Sequence, residues 1–392
     1  MNELWKDPIK KKQLLYCYIT FALNGMLALS VGSLMPLIRD ARGLDYALCG
    51  LLVSLHSVGN FISSFFAGTF AMMWGRKKTI LTFNLFFALA FLLILVSGNN
   101  LCLLIAFTMT GLARGATSNF SNFTINQLAP GKAEIMNGLH AMFSIGAFLF
   151  PILLATITAN RTDGWLYACI FMLIMGVLSW LLYFRIPVVD SQEEKKTQNK
   201  TFEFFRDPMF WLCTLTLFFY LCAEQGVIGW MVTYFKDTGL LDASLSQVMA
   251  SVQWVMILAG RLTVAWAASR ISKNILLRIM SVGLVTFFIV LITATTTPQI
   301  VIGIMGFGYS MAGIYPTTVS FAGNTIKKSA LTWSFMLTLA SMGSILMPSV
   351  IGHIAQHYGI VPGMTSIVVA VVIDMILIVA LTAYSKKAEA AV

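Results

Sequence analysis

Six ionisable side chains stand inside apolar runs long enough to cross a bilayer: His56, Arg114, His140, Glu224, Arg261 and Asp374. Such groups are expensive in lipid, so each is a candidate for function. Glu224 falls near the middle of its run. Tyr220, Glu224, Met231 and Tyr234 recur at i, i+4, i+11 and i+14, which puts them on one helical face. A carboxyl held there can load and release a proton, or accept hydrogen bonds from the hydroxyls of a polar solute. The plainer alternative is that it bonds a neighbouring helix and fixes packing. Arg114 is followed by Ser118, Ser121 and Asn122 at i+4, i+7 and i+8, with Asn119 and Asn126 at the edge of the stripe. So polar a stripe belongs against water or protein rather than lipid. A guanidinium offers planar, paired donors to a carboxylate, a phosphate or vicinal hydroxyls. It could equally close an internal ion pair, with Glu224 at similar depth as the partner.

His140 shares a face with Asn137 and Ser144, whereas His56 lies in an earlier run. A histidine can move a proton or bond a hydroxyl, and in a helix bundle it is also a common packed residue. Arg261 follows Gly260 near the end of its run and reads as a gate or a structural residue. Asp374 reads as a structural hydrogen-bonding group. No G-x4-G-K-[ST], H-E-x-x-H or G-x-S-x-G motif stands out, so neither ATP-driven nor hydrolytic chemistry is expected, and the chain is not read as an enzyme. Its six cysteines are scattered, without C-x-x-C spacing. They imply no disulfide framework and no metal, and nothing calls for a cofactor.

The elements that must position these residues are membrane helices. Hydrophobic residues make up 58% of the 392-residue chain and charged residues 11%, against roughly 25% charged in a soluble domain. Twelve apolar runs reach the ~20 residues that a bilayer demands. They fall near 14–38, 45–73, 79–97, 101–128, 134–157 and 164–184, then 209–235, 244–268, 274–295, 299–325, 329–356 and 363–385. Backbone polar groups in lipid must be bonded internally, so the runs are helices. With the N-terminus inside, twenty of the 26 Lys and Arg fall in inside segments and four in outside loops. This is a strong positive-inside bias, with both termini cytoplasmic. The net charge of +10 therefore reports orientation in a cell membrane, and nucleic acid is not an expected partner.

The chain also repeats itself. Gly146-Ala-Phe-Leu-Phe-Pro151 returns as Gly343-Ser-Ile-Leu-Met-Pro348, 197 residues on, and Gly111 to Gly115 returns as Gly306 to Ser310 at 195. Gly68 with Trp74 answers to Gly260 with Trp266 at 192. Duplicated halves in a membrane chain point to a transporter. The expected organisation is an N-terminal six-helix bundle, 1–184, a charged cytoplasmic linker, 185–208, and a C-terminal six-helix bundle, 209–392.

Gly68-Thr-Phe-Ala-Met-Met-Trp-Gly75-Arg76-Lys77-Lys78 resembles the cytoplasmic loop motif of the major facilitator superfamily. Met72 stands where that family usually has an Asp that helps latch the two halves. Helix seven, with Glu224 six residues before Trp230 and then Tyr234, is similar to the fucose-permease-like branch. So are Gly115 to Asn122, the Asn137-x-x-His140-x-x-Phe143-x-x-Gly146 run and the Gly313-Ile-Tyr-Pro316-Thr317 kink. The resemblance implies an all-α fold of two pseudo-symmetric bundles around a central cavity, working by alternating access as a monomer. It implies proton-coupled uptake of a small polar solute such as a sugar or sugar derivative, with sodium as the alternative ion. The loop residues Gly68, Gly75, Arg76 and Lys77, with Arg261, would serve gating, and Glu224 and His140 proton coupling.

Sugars have apolar faces and polar rims, so a sugar site needs aromatic rings beside amides and carboxylates. The residues able to supply one are Asn24, Arg114, Asn119, Asn122, His140, Glu224, Trp230, Gln253, Trp254, Tyr309 and Asn324. Two other cargoes are compatible with the same fold: export of amphipathic compounds by proton antiport, or an organic anion with Arg114 as counter-ion.

Overall fold

The computed structural model describes residues 7–129, 133–159, 161, 163–187, 203–268, 270–323 and 330–390; Asn324 and linker residues 188–202 lie outside them. The chain divides into two compact units, Met1–Glu193 and Glu194–Val392. Among the described residues, the first holds α1 (Pro8–Arg42), α2 (Tyr46–Trp74), α3 (Arg76–Val96), α4 (Asn100–Leu128), α5 (Ala133–Thr158) and α6 (Gly164–Arg185). The second opens with a 3-10 turn, Glu203–Arg206. It continues through α7 (Pro208–Asp237), α8 (Ala243–Ala267), α9 (Lys273–Ile292), α10 (Thr297–Met311) and α11 (Ile314–Phe321). It closes with α12 (Ala330–Tyr358), α13 (Ile360–Thr365) and α14 (Ile367–Ala390). Among the described residues, twelve stretches are long and apolar enough to span a membrane, α10 with α11 forming one and α13 with α14 another.

Acidic residues are scarce, and many of them start helices. Asp7, Asp45, Asp207 and Asp242 accept the first free N–H groups of α1, α2, α7 and α8, and Asn99 does the same for α4. Each such cap is worth about 1 kcal/mol. The cap at Asp7 starts the first helix at Pro8, six residues before the apolar run begins. Three expected helices are shorter or broken, one of them the twelfth, which is interrupted at Ser366 between α13 and α14. The ninth ends at Ile292 rather than near 295. The tenth breaks at Ala312 and Gly313, because Pro316 has no N–H to offer the Ala312 carbonyl.

Within the first unit, α1 packs on α5, α2 on α4, and α3 on both α4 and α6. The second unit repeats the scheme, with α7 on α12, α8 on α10, and α9 on both α10 and α14. The glycines of the repeated G-x4-P segment sit at two of these crossings. A β-carbon at Gly146 would lie 1.8 Å from the Ala22 carbonyl oxygen, and one at Gly343 would lie 2.1 Å from that of Phe218. Both crossings are therefore backbone against backbone, as in small-residue helix packing. The first unit's core fills the space beside them with Leu14, Cys17, Phe21, Phe83, Leu139 and Tyr183.

Candidate functional site

The polar centre of the first unit is built on the α2–α4 crossing. A β-carbon at Gly111 would stand 2.0 Å from the His56 carbonyl oxygen, so the two backbones touch and the His56 ring falls beside α4. There its Nδ1 lies 2.8 Å from the Thr110 hydroxyl. That hydroxyl donates to the Phe107 carbonyl at 2.6 Å, and Arg114 Nη1 lies 3.3 Å from His56 Nε2. A guanidinium has donors only. His56 Nε2 is therefore the acceptor, and its Nδ1 carries the hydrogen given to Thr110.

One turn further along α4, Ser118 accepts from the Asn24 amide of α1 at 3.0 Å. The Asn24 carbonyl oxygen is buried and has no hydrogen-bond partner among the described residues. Asn122 donates to the Ser118 backbone carbonyl at 2.9 Å. The structure thus joins Asn24 and Asn122 through Ser118, and on the same helix it pairs Arg114 with His56. The Asn119 amide donates instead to the Ser64 carbonyl of α2 at 3.3 Å. His140 is exposed, with its ring edge-on to Phe21 at 5.6 Å.

In the second unit, the half-buried Glu224 carboxylate accepts from the Tyr220 hydroxyl at 3.1 Å, one turn back on α7. The Tyr220 ring in turn faces Tyr315 of α11 at 6.1 Å. Tyr315 lies just after the break between α10 and α11, and periodicity along a single unbroken helix did not single it out. Trp230 is wholly buried and donates its indole N–H to the Pro348 carbonyl at 3.0 Å. It fastens α7 to α12 and has no ring face open to a solute. Gln253 is buried at the α8–α10 crossing, its amide 3.7 Å from the Met311 sulfur; Trp254 beside it is also buried. Tyr309 is partly exposed, and its carbonyl lies against Gly260. Arg261 is exposed on α8. Asp374 is 0% exposed, and neither carboxylate oxygen has a hydrogen-bond partner among the described residues. The structural hydrogen bond expected of Asp374 is therefore not made among the described residues.

The loop motif between α2 and α3 turns inward on its own unit. Gly75 closes α2 and opens α3 at φ +83°, a conformation that favours glycine. A β-carbon at Gly68 would meet nothing within 4 Å. Met72, in the usual place of the acid, is 73% exposed. Arg76 stands over the Phe123 ring at 3.2 Å. The Lys77 ammonium donates to the carbonyls of Tyr183, Phe184 and Ile186, capping the end of α6, where a cation also suits the helix dipole. The second unit echoes the ring contact, with Lys273 over Phe321 at 4.4 Å.

With twelve apolar spans and an interior carrying a few deliberate polar groups, the molecule has the architecture of a membrane transporter. The Major Facilitator Superfamily model matches residues 17–348, and the chain belongs to that superfamily. Curated relatives include the Protein TsgA homologs of Yersinia enterocolitica and Yersinia pestis, each 25% identical over 352 residues, covering 88% of both chains. Among solved structures, the chain is similar to a mutant form of the nucleoside transporter NupG, with a TM-score of 0.79 at 13% identity, covering 94% of this chain and 99% of that one. It is also similar to a bacterial homolog of the human lysosomal transporter Spinster, with a TM-score of 0.78 at 14% identity, covering 96% and 97%. These two likenesses show the fold. The protein is an integral membrane transporter and not an enzyme.

Proposed function

We propose that the protein is a secondary transporter that takes up a small polar solute, a sugar or sugar derivative, together with a proton by alternating access. The observation that carries this reading is the Glu224 carboxylate, half-buried on a spanning helix and hydrogen-bonded to Tyr220 at 3.1 Å. A carboxyl so placed can exchange a proton while sensing a bound hydroxyl, and the tyrosine gives it a neutral donor. Arg114, Asn24 and Asn122 supply the solute contacts of the first unit in this scheme, and the orphaned Asn24 oxygen would take a solute hydroxyl. NupG, by its name, carries nucleosides, which are ribose-bearing solutes; this fits the same size and polarity class.

A second reading, an organic anion with Arg114 as counter-ion, draws on a guanidinium set inside a spanning helix, one turn from Ser118, with a neutral imidazole as its neighbour. A thermal-shift screen of purified protein against sugars, nucleosides and organic acids separates the two. Uptake into proteoliposomes under an imposed pH gradient then tests the coupling. A rate indifferent both to the gradient and to Glu224→Gln would sink proton symport.

A further inference from the structure

We propose that His56 is the positioning residue for Arg114, and that a proton on its ring releases the guanidinium. The inference rests on the reading of Arg114 as a solute contact. The hydrogen bonds that link Arg114, His56 and Thr110 run one way: Arg114 to His56 Nε2, His56 Nδ1 to Thr110, and Thr110 on to the Phe107 carbonyl. The order holds only while Nε2 keeps its lone pair. A proton there sets an N–H against an N–H and one positive charge against another 3.3 Å away. The ring is 2% exposed, so little water is at hand to soften that encounter.

Few other charges surround the ring. α2 packs against α4, α3 and α1. It carries no charged residue between Asp45 and Arg76. α1 has none between Lys12 and Arg39, α3 has none after Lys78, and Arg114 is the only one on α4. The nearest other histidine in the unit, His140, is set against Phe21. The proton site and the solute-holding group are thus one hydrogen bond apart. Binding at either changes the other by the same factor, without proton and solute ever touching.

The test uses full-length protein labelled with 15N-histidine and 15N-arginine in nanodiscs, without any solute. At neutral pH the His56 resonances, assigned by their absence from His56→Gln, should show a protonated Nδ1 and a bare Nε2. On acidification both nitrogens should become protonated over the same pH interval in which the Arg114 side-chain resonance, assigned through Arg114→Lys, shifts. In His56→Gln the amide oxygen still accepts the guanidinium but takes no proton, so the Arg114 resonance should hold its place through the series. In His56→Leu it should sit at the released position at every pH. An Nε2–H tautomer at neutral pH overturns the proposal. So does an Arg114 resonance that follows the same pH course in the wild type and His56→Gln, and that comparison stands even if His56→Leu does not fold. Because no solute is present, failure here is separate from failure of the uptake experiment.

Discussion

Gly146 of α5 meets Ala22 of α1, and Gly343 of α12 meets Phe218 of α7; the partners lie 197 and 196 residues apart along the chain. Arg76 over Phe123 and Lys273 over Phe321 repeat at 197 and 198. These paired contacts involve backbone crossings and helix ends, where a frame is held together. At the centres of the same helices the two units diverge. The first places a guanidinium on a neutral imidazole. The second places a phenol on a carboxylate and buries a second carboxyl, Asp374, without a hydrogen-bond partner among the described residues. A duplicated chain can keep its joints while changing the side chains between them, because a glycine crossing fixes where helices meet and leaves open what they carry.

Four sets of substitutions bear on that comparison. The largest effect is expected at the centres. Loss of a charge-assisted hydrogen bond costs about 1.5–3 kcal/mol, so Arg114→Gln should weaken solute binding by roughly 10- to 100-fold. Glu224→Gln should abolish gradient-driven uptake while retaining binding. Isothermal titration and proteoliposome flux read the two, and an exchange of phenotypes would reverse the division of labour between the units.

Next come the joints. Gly146→Leu and Gly343→Leu force side-chain atoms into backbone and should each cost about 1–3 kcal/mol or more. Comparable falls in unfolding temperature are expected, and tolerance at only one site would mean that the repeat is not a shared joint. Asp374→Leu removes a buried polar group with no hydrogen-bond partner among the described residues. It should raise stability by about 1–3 kcal/mol with uptake unchanged, whereas loss of uptake in a stable variant would place that carboxyl in transport. The smallest effect belongs to the helix-end rings. Arg76→Met and Lys273→Met should each cost about 0.5–1 kcal/mol, measurable as small paired shifts in thermal unfolding.

The twelve spans and the repeat were legible because length, apolarity and spacing are local properties of a chain. The polar stripe from Arg114 to Asn122 was legible for the same reason. What faces that stripe was not. His56 becomes the partner of Arg114 only because α2 and α4 touch at Gly111, and a single sequence does not state which helices cross or at what height. The same limit explains Trp230. A tryptophan near a polar residue looks like a stacking surface for a sugar until Pro348, 118 residues away, takes its N–H. Lys77 is expected to serve gating because its neighbours match a loop motif, and no motif states that its ammonium also caps α6 through the carbonyls of Tyr183, Phe184 and Ile186. The ends of helices moved by a few residues where Asp7 and Pro316, rather than hydrophobicity, decide the boundary.

The contact at Gly111 has a consequence for genetics. The residue has no side chain to touch a solute, a proton or lipid, yet any β-carbon there pushes apart the two helices that bring His56 to Arg114. A screen for variants that reach the membrane in normal amount but carry nothing should therefore return this glycine alongside the charged residues. A map of such variants drawn on the sequence would show a hit at a position with no chemistry of its own.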